Sequence, residues 1–215
     1  MSICMDADSI KNVAIAVIKN DARAVQCAAG AVDEAFVRVV HLLSECPGKV
    51  IVTGSGTSGS IARRAAHLLS VGGTPAFFLP PGDGLHGGLG AIGGEDVVIA
   101  ISKGGSSSEL NEFCARGKEL GRALVVITSE RDSPLAGLAD HVLVIPLEPQ
   151  ADLGTVIATG SSLAAGALLD GIVEACRVLR GYEWKSFFFI HPGGAVGKNA
   201  AIALEKLADT GGNFL

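Results

Sequence analysis

The chain has 215 residues, of which 48% are hydrophobic, and its formal net charge is -5. A chain of this length and composition can bury enough apolar surface to fold without disulfides or structural metal ions. Its 17 Lys and Arg residues are scattered along the sequence, which excludes the basic surface typical of nucleic-acid-binding proteins.

The sequence also argues against a membrane or a secreted location. The start, MSICMDADSI, is acidic, and no segment reaches the roughly 18 consecutive apolar residues of a membrane-spanning helix. The five cysteines are odd in number, widely spaced and never in a CxxC pair, which disfavours a disulfide framework and a zinc site. We therefore expect a cytoplasmic protein with no membrane or nucleic-acid partner and no bound metal.

Residues 9–44 carry apolar side chains at helical spacing, with a break near Gly30. The pattern predicts two helices before the Pro47-Gly48 turn. We interpret residues 1–47 as a helical extension of a single domain that covers residues 1–215. This segment contains no candidate catalytic residue.

From Lys49 the pattern changes to short β-branched runs separated by helical segments. The predicted strands are residues 50–53, 76–79, 97–101, 124–128 and 142–145. Continuous apolar strands that alternate with helices predict a parallel sheet covered on both faces. Five of them predict a doubly wound α/β fold with the flavodoxin-like strand order 2-1-3-4-5, in which ligands bind beyond the carboxyl ends of the strands.

The first strand leads into a turn of sequence GSGTSG, residues 54–59, and a helix predicted to start near Ser60. The first N–H groups of a helix have no partner within it and lie at the positive end of its dipole, so they bind anions, most often phosphate. Ser55, Thr57 and Ser58 add hydroxyl groups to this turn. It is the first half of the predicted phosphate site.

The same turn matches the GxGxxG spelling of dinucleotide-binding proteins, which is a weak signal by itself. A nicotinamide site needs an acidic residue at the end of the second strand for the ribose hydroxyls. Here that strand runs into Pro80-Pro81, and the nearest acid, Asp83, lies beyond both prolines. We therefore favour phosphate over a dinucleotide and expect no cofactor.

A second turn, SKGGSSSE at residues 102–109, follows the third strand. Ser102, Ser106 and Ser107 can donate O–H groups to an anion, and Lys103 adds a positive charge suited to phosphate. Ser106 with Glu109 also has the spacing of a helix capping box, and the cap and the anion site are compatible. Two such turns at neighbouring strand ends predict one phosphate held between them.

The last third of the chain contains one long predicted helix, residues 155–180, closed by Gly181. Its small residues are Gly160, Ala164, Gly166 and Gly171. A large apolar helix with a flat surface of small residues predicts packing against a second copy of the chain. The sequence HPGG at residues 191–194 then predicts a turn into a last helix.

Several of these segments together resemble the SIS (sugar isomerase) domain family, and within it the isomerase domain of the arabinose 5-phosphate isomerases. They are GSGTSG, HGGLG at 86–90, VVIAISKGGSSSE, the Ser/Thr-rich entry to the long helix and HPGGAVG at 191–197. The likeness runs from about Lys49 to Lys198. It implies an aldose/ketose sugar-phosphate isomerase without a redox cofactor, active as a homodimer or homotetramer with shared sites. We expect no counterpart of the tandem CBS domains that often follow this domain.

The resemblance also implies roles for individual residues. Ser58, Ser102 and Ser107 match the phosphate-binding hydroxyls of the family. His191 matches the histidine implicated in catalysis, in a loop that reaches a site shared with a neighbouring subunit, and His86 matches the histidine of the HGDLG motif. Near pH 7 either histidine can act as acid or base in proton transfer between C1 and C2 through an enediolate.

A carboxylate partner for the histidines is less well defined. The acidic residue that the family carries after the fifth strand aligns with Pro149, so the candidates are its neighbours Glu148 and Asp152.

Other positions depart from the family. Thr57 stands where the isomerases have Lys, Gly104-Gly105-Ser106 where they have Ser-Gly-Glu, and Gly88 where they have the Asp of HGDLG. These changes leave two alternatives beside an isomerase of arabinose 5-phosphate type. One is a non-catalytic phosphosugar-binding or sensor module, and the other is a 6-phospho-3-hexuloisomerase.

Overall fold

The architecture was obtained as a computed structural model, which describes residues 5–193. The predicted helix after the HPGG turn lies outside the described residues. The strands are β1 (Val50–Thr53), β2 (Ala76–Phe78), β3 (Val97–Ile101), β4 (Ala123–Thr128) and β5 (His141–Val144). They form one parallel sheet in the order β2-β1-β3-β4-β5, which confirms the predicted fold class and strand order.

The helices of the described residues are α1 (Ala7–Cys27), α2 (Glu34–Ser44), α3 (Gly56–Val71), α4 (Pro81–Leu85), α5 (Ser108–Leu120), α6 (Pro134–Leu138), α7 (Gly160–Leu179) and α8 (Trp184–Ile190). A short 3-10 turn at Ala28–Ala31 produces the predicted break near Gly30. The sequence patterns did not reveal α4, α6 and α8, which have five to seven residues each.

Both faces of the sheet are covered, and each face has its own core. Every residue of β1, β3 and β4 is buried, as expected for central parallel strands rich in β-branched residues. One core joins the sheet to α2, α3 and α7 through side chains such as Leu43, Leu69 and Leu169. The other joins it to α5 and α6 through Phe113 and Leu135. The carboxyl ends of the strands are left as the edge where loops can bind a ligand.

Two predicted helix starts were wrong. The helix after the first turn begins at Gly56 rather than near Ser60, so Thr57 and Ser58 lie in its first turn. The long helix begins at Gly160 instead of 155, because residues 151–159 form turns in which Thr155 adopts a positive φ of 63°. Hydrophobic periodicity extended the helix backward through a segment that is folded differently.

The small residues of α7 pack within the chain, so the reason given for an oligomer on this surface was wrong. At Gly160 an added Cβ atom would lie 2.8 Å from that of Ala24 in α1. Gly166 faces Ile61 and Arg64 of α3, and Ala164 is fully buried in the core. Helices with small residues at the contact approach one another closely, and here α1, α2 and α3 occupy that surface.

Within residues 5–193, none of the helices is both long enough and apolar enough to cross a membrane.

Candidate functional site

Strand pairing brings the two predicted turns to one edge of the sheet. β1 pairs with β3 in parallel, with Thr53 opposite Ala100, so both strands end at the same level. A Cβ atom at Gly54 would lie 3.0 Å from the carbonyl oxygen of Ile101. Glycine at position 54 therefore allows the first turn to approach the end of β3 closely.

The first turn presents the start of α3 without an internal cap. Ser55 is the residue before the helix, and its side chain caps no N–H group of the described residues. The first helical bond runs from the Gly59 N–H to the Ser55 carbonyl, which leaves the N–H groups of residues 56–58 without helical partners. Ser55 and Thr57 are exposed, and Ser58 is half-buried. This helix start is available to an anion, as predicted.

The second turn is held rigidly by Gly105. Its N–H donates to the Ser102 hydroxyl oxygen over 3.1 Å, and its carbonyl accepts from the Leu135 N–H and the Asn111 side chain. Its φ of 60° lies in the left-handed region that favours glycine. Because the Ser102 hydroxyl is an acceptor in this arrangement, its own proton remains available for a ligand.

The predicted capping box of Ser106 and Glu109 was wrong. Helix α5 begins at Ser108 with Ser107 as the preceding residue, one position later than the box requires. The Ser106 hydroxyl donates instead to the Gly104 carbonyl over 3.1 Å. The Ser107 hydroxyl has no hydrogen-bond partner in the part of the chain that the structure describes. The start of α5 is thus open, like that of α3.

A narrow cleft with a cavity volume of about 20 Å³ lies beside the two turns, between the ends of β3 to β5 and α7. Its floor is apolar and its walls carry a cation and several hydroxyl groups. The polar lining residues are Ser58, Lys103, Thr128, Ser129, Ser161 and Ser162. The structure therefore brings two predicted site residues, Ser58 and Lys103, to one cleft with residues that the sequence did not single out.

Lys103 is bound to a carboxylate inside the protein. Its ammonium donates to Asp152 Oδ2 over 2.6 Å, while Asp152 Oδ1 accepts the N–H groups of Thr159 and Ser161, each over 2.9 Å. Burial raises the pKa of Asp152, but the hydrogen bonds from Lys103, Ser161 and Thr159 outweigh burial and lower it. The Asp152 carboxylate thus also caps the start of α7.

A second cleft, with a cavity volume of about 380 Å³, lies on the other side of the first turn. It contains Ser55 and Glu109, and Arg63 lies over the ring of Phe78 at 4.6 Å from its centroid. Ser55 and Ser58 therefore face different clefts. Thr57, Ser102, Ser106 and Ser107 line neither of them.

The predicted catalytic residues are not brought together within the described residues. His86 is exposed at the end of α4, and Glu148 is exposed in the loop after β5. His191 lies at the end of α8, where its ring stacks on Phe187 and its Nδ1 lies 3.0 Å from the Phe187 carbonyl oxygen. None of these three side chains, His86, Glu148 and His191, lines the cleft that contains Lys103.

The sequence analysis missed the hydroxyl groups of Ser161, Ser162, Thr128 and Ser129. The first two belong to the Ser/Thr-rich entry to the long helix, which was noticed only as a family feature. Asp152 was considered as a partner for a histidine, whereas the structure shows it bound to Lys103. Among residues 5–193, no group of three or more His, Cys, Asp or Glu side chains could hold a metal ion.

Comparison with known proteins gives a consistent result. The model of the SIS domain matches residues 42–171. The arabinose 5-phosphate isomerase KdsD of Escherichia coli is 34% identical over 180 residues, which are 84% of this chain and 55% of that protein. The chain thus spans about half the length of the curated relatives it matches.

Two solved structures extend the likeness to three dimensions. A Listeria monocytogenes protein assigned as a sugar-phosphate isomerase superposes with a TM-score of 0.84 at 33% identity, over 88% of this chain and 100% of that one. An Escherichia coli protein in complex with arabinose 5-phosphate superposes with a TM-score of 0.83 at 29% identity, over 87% and 100%.

Proposed function

The chain belongs to the SIS domain family, and we propose that it is an aldose/ketose sugar-phosphate isomerase of arabinose 5-phosphate isomerase type. The observation that carries the proposal is the meeting of two uncapped helix starts, α3 and α5, at the carboxyl edge of the sheet. The names of the relatives support the substrate class, since one is an arabinose 5-phosphate isomerase and another was solved with that sugar phosphate.

The phosphate is held between the two turns. The free N–H groups at the starts of α3 and α5 supply backbone donors, and the hydroxyls of Ser58, Ser102 and Ser107 supply side-chain donors. The Ser107 hydroxyl is the most telling of these, because it has no competing partner among the described residues. With its phosphate at this position, the sugar extends into the cleft between the strand ends and α7.

His191 is the proposed acid or base, acting in the cleft of a neighbouring subunit. A carbonyl oxygen can only accept a hydrogen bond, so the contact with Phe187 requires the proton on Nδ1 in the neutral ring. The lone pair on Nε2 is then free to accept a proton from the sugar. Because His191 does not line the cleft of its own chain, this role requires a dimer or a tetramer.

The protein is proposed to work in the cytoplasm. Cys27, Cys46, Cys114 and Cys176 are free thiols. Burial raises the pKa of the Cys114 thiol to about 12, so at neutral pH it is not a reactive thiolate. Reduced cysteines of this kind are typical of proteins in a reducing compartment.

A non-catalytic phosphosugar sensor is the second candidate. The Asp152 carboxylate contacts two residues of the cleft lining, and it is already bound to Lys103 and to the N–H groups of Thr159 and Ser161. Glu148 is exposed and lies outside the cleft lining. A site that binds the phosphate but lacks a competent base would recognise a sugar phosphate without converting it.

The test is a binding screen followed by a conversion assay. Arabinose 5-phosphate, ribulose 5-phosphate and 6-phospho-3-hexulose are added separately, and the melting temperature is recorded, because a ligand of the native state raises it. Each sugar that binds is then followed by NMR. Interconversion establishes the isomerase, binding without conversion establishes the sensor, and binding of none of the sugar phosphates rejects both.

A further inference from the structure

The Lys103–Asp152 pair has an unusual arrangement for an ion pair. The Lys103 side chain is 42% exposed at the cleft, whereas the Asp152 side chain is 1% exposed. An ammonium has three donors, and Asp152 Oδ2 takes one of them. The other two N–H groups of Lys103 remain available on the cleft side.

Asp152 also fixes a second donor group of the cleft. Its Oδ1 accepts the backbone N–H of Ser161, and the Ser161 hydroxyl lines the same cleft as Lys103. Ser161 is 6% exposed, and its Oγ makes no hydrogen bond of good geometry in the part of the chain that the structure describes, although its hydroxyl lies close enough to the Asp152 carboxylate to help lower the pKa of that group. Buried hydroxyl groups without a well-formed hydrogen bond are rare in native proteins, and this one borders the cleft, so a ligand oxygen there can take its proton in place of the Asp152 carboxylate.

The charge of the pair argues against phosphate as that ligand. Asp152 offsets the positive charge of Lys103, so the pair attracts a phosphate dianion weakly. Phosphate already has the two helix starts: Ser58 at the start of α3 borders this cleft, and Ser107 at the start of α5 lies outside its lining. The Lys103 ammonium is held in place by Asp152, so it can donate a hydrogen bond without the full attraction of a free cation. Such a donor suits an oxygen that is neutral in the bound sugar and gains negative charge only during the reaction, as the carbonyl oxygen does when the enediolate forms.

We propose that Asp152 is a positioning residue that holds Lys103 and Ser161 as paired hydrogen-bond donors to the carbonyl end of the sugar phosphate. This inference rests on the proposed function. Lys103 and Ser161 bind the oxygen atoms on C1 and C2, while the helix starts bind the phosphate at the other end of the sugar. Asp152 does not touch the substrate and acts only through these two groups.

The chain offers a closely matched control at the opposite edge of the sheet. Lys49 donates to Asp96 over 2.6 Å, with side-chain exposures of 40% and 4%, and Asp96 also accepts two backbone N–H groups. Lys49 and Asp96 directly precede β1 and β3, so this pair lies at the amino ends of the strands. Asp96→Asn therefore removes the charge of a comparable buried ion pair at a place outside the cleft lining.

The experiment compares the two variants in the folded protein with arabinose 5-phosphate and with inorganic phosphate as probes. Removing one preorganised donor to a developing oxyanion lowers turnover roughly 10²-fold or more. We expect Asp152→Asn to lower kcat by about that factor, with KM and the Kd of inorganic phosphate changed less than about threefold. Asp96→Asn should lower the melting temperature similarly and keep the wild-type kcat.

Variants of the two donors complete the test. Lys103→Met and Ser161→Ala should each lower kcat with little effect on phosphate binding, and Lys103→Arg should keep more turnover than Lys103→Met. If the wild type binds the sugar phosphate without converting it, the measured quantity becomes the Kd of the sugar phosphate divided by the Kd of inorganic phosphate. Asp152→Asn should then raise this ratio about tenfold.

Three outcomes would overturn the inference. Equal kcat values for Asp152→Asn and Asp96→Asn, or equal ratios of the two Kd values, would reduce Asp152 to a structural residue. A parallel loss of inorganic phosphate binding in Asp152→Asn would assign Lys103 to the phosphate instead. A wild-type protein that binds no sugar phosphate would reject the proposed function and this inference together.

Discussion

Gly105 provides a direct test of how the second turn is built. Its φ is 60°, it is buried, and a Cβ atom on its backbone would collide with the side chain of Ser133. A left-handed backbone costs a residue with a Cβ atom about 1–2 kcal/mol, and overpacking a buried position costs about 1–3 kcal/mol. Gly105→Ala should therefore lower the free energy of unfolding by about 2–5 kcal/mol.

The assay is urea unfolding followed by circular dichroism, with Gly104→Ala as the matched control. Gly104 is exposed, its φ is not positive, and a Cβ atom there would meet no atom within 4 Å. We expect Gly104→Ala to unfold like the wild type. The reasoning is refuted if Gly105→Ala is as stable as Gly104→Ala, because the turn would then tolerate a side chain at both positions.

The remaining predictions concern the ligand, the histidine, acid stability and assembly. Ser107→Ala should weaken sugar-phosphate binding about tenfold or more, because a hydrogen bond to a charged group contributes about 1.5–3 kcal/mol; calorimetry would measure it, and an unchanged Kd would remove Ser107 from the site. His191→Asn should lower turnover roughly 10²–10⁴-fold with nearly unchanged binding of the sugar phosphate. The control is His67→Asn, at an exposed position, which should keep the wild-type turnover. Equal turnover in the two variants would exclude His191 as acid or base. Burial raises the pKa values of Asp96 and Asp152, but the hydrogen bonds that these carboxylates accept outweigh burial and lower both pKa values from 3.8. The two ionised carboxylates therefore stabilise the fold above pH 3.8, and this contribution is lost as the pH falls through their pKa values in the folded protein. Unfolding by urea at pH 7, 4 and 3 should show this loss, and a wild-type stability that is flat down to pH 3 would contradict it. Light scattering at micromolar concentration should give two or four times the mass of one chain, and a monomer would remove the shared site.

The fold could be predicted from the sequence because its signals are local. Strands such as Val97–Ile101 consist of consecutive apolar residues, which in a chain of alternating strands and helices favour a parallel sheet with both faces covered. The right-handed crossover rule then limits the strand order to a few alternatives. The two turns could be predicted for the same reason, since glycine and serine directly after a strand indicate an open helix start.

Errors arose where a local pattern had more than one structural solution. The apolar spacing of the long helix also extends over residues 155–159. The Asp152 carboxylate, however, accepts the N–H groups of Thr159 and Ser161, and the helix begins at Gly160. The small residues of α7 suited a second subunit as well as a neighbouring helix, and the chain itself fills that surface. Periodicity reports which face of a helix is apolar, and it carries no information about which element covers that face.

The sequence by itself determined the sheet, its strand order and the edge at which both turns meet. Only the tertiary structure decided that Lys103 is bound to Asp152, 49 residues further along the chain, and that Ser161 shares a cleft with both turns. A turn depends on the φ and ψ angles of a few adjacent residues, so it can be predicted from the identities of consecutive residues. A hydrogen bond between distant residues depends on how whole elements pack, and no spacing in the sequence specifies the partner of a lysine.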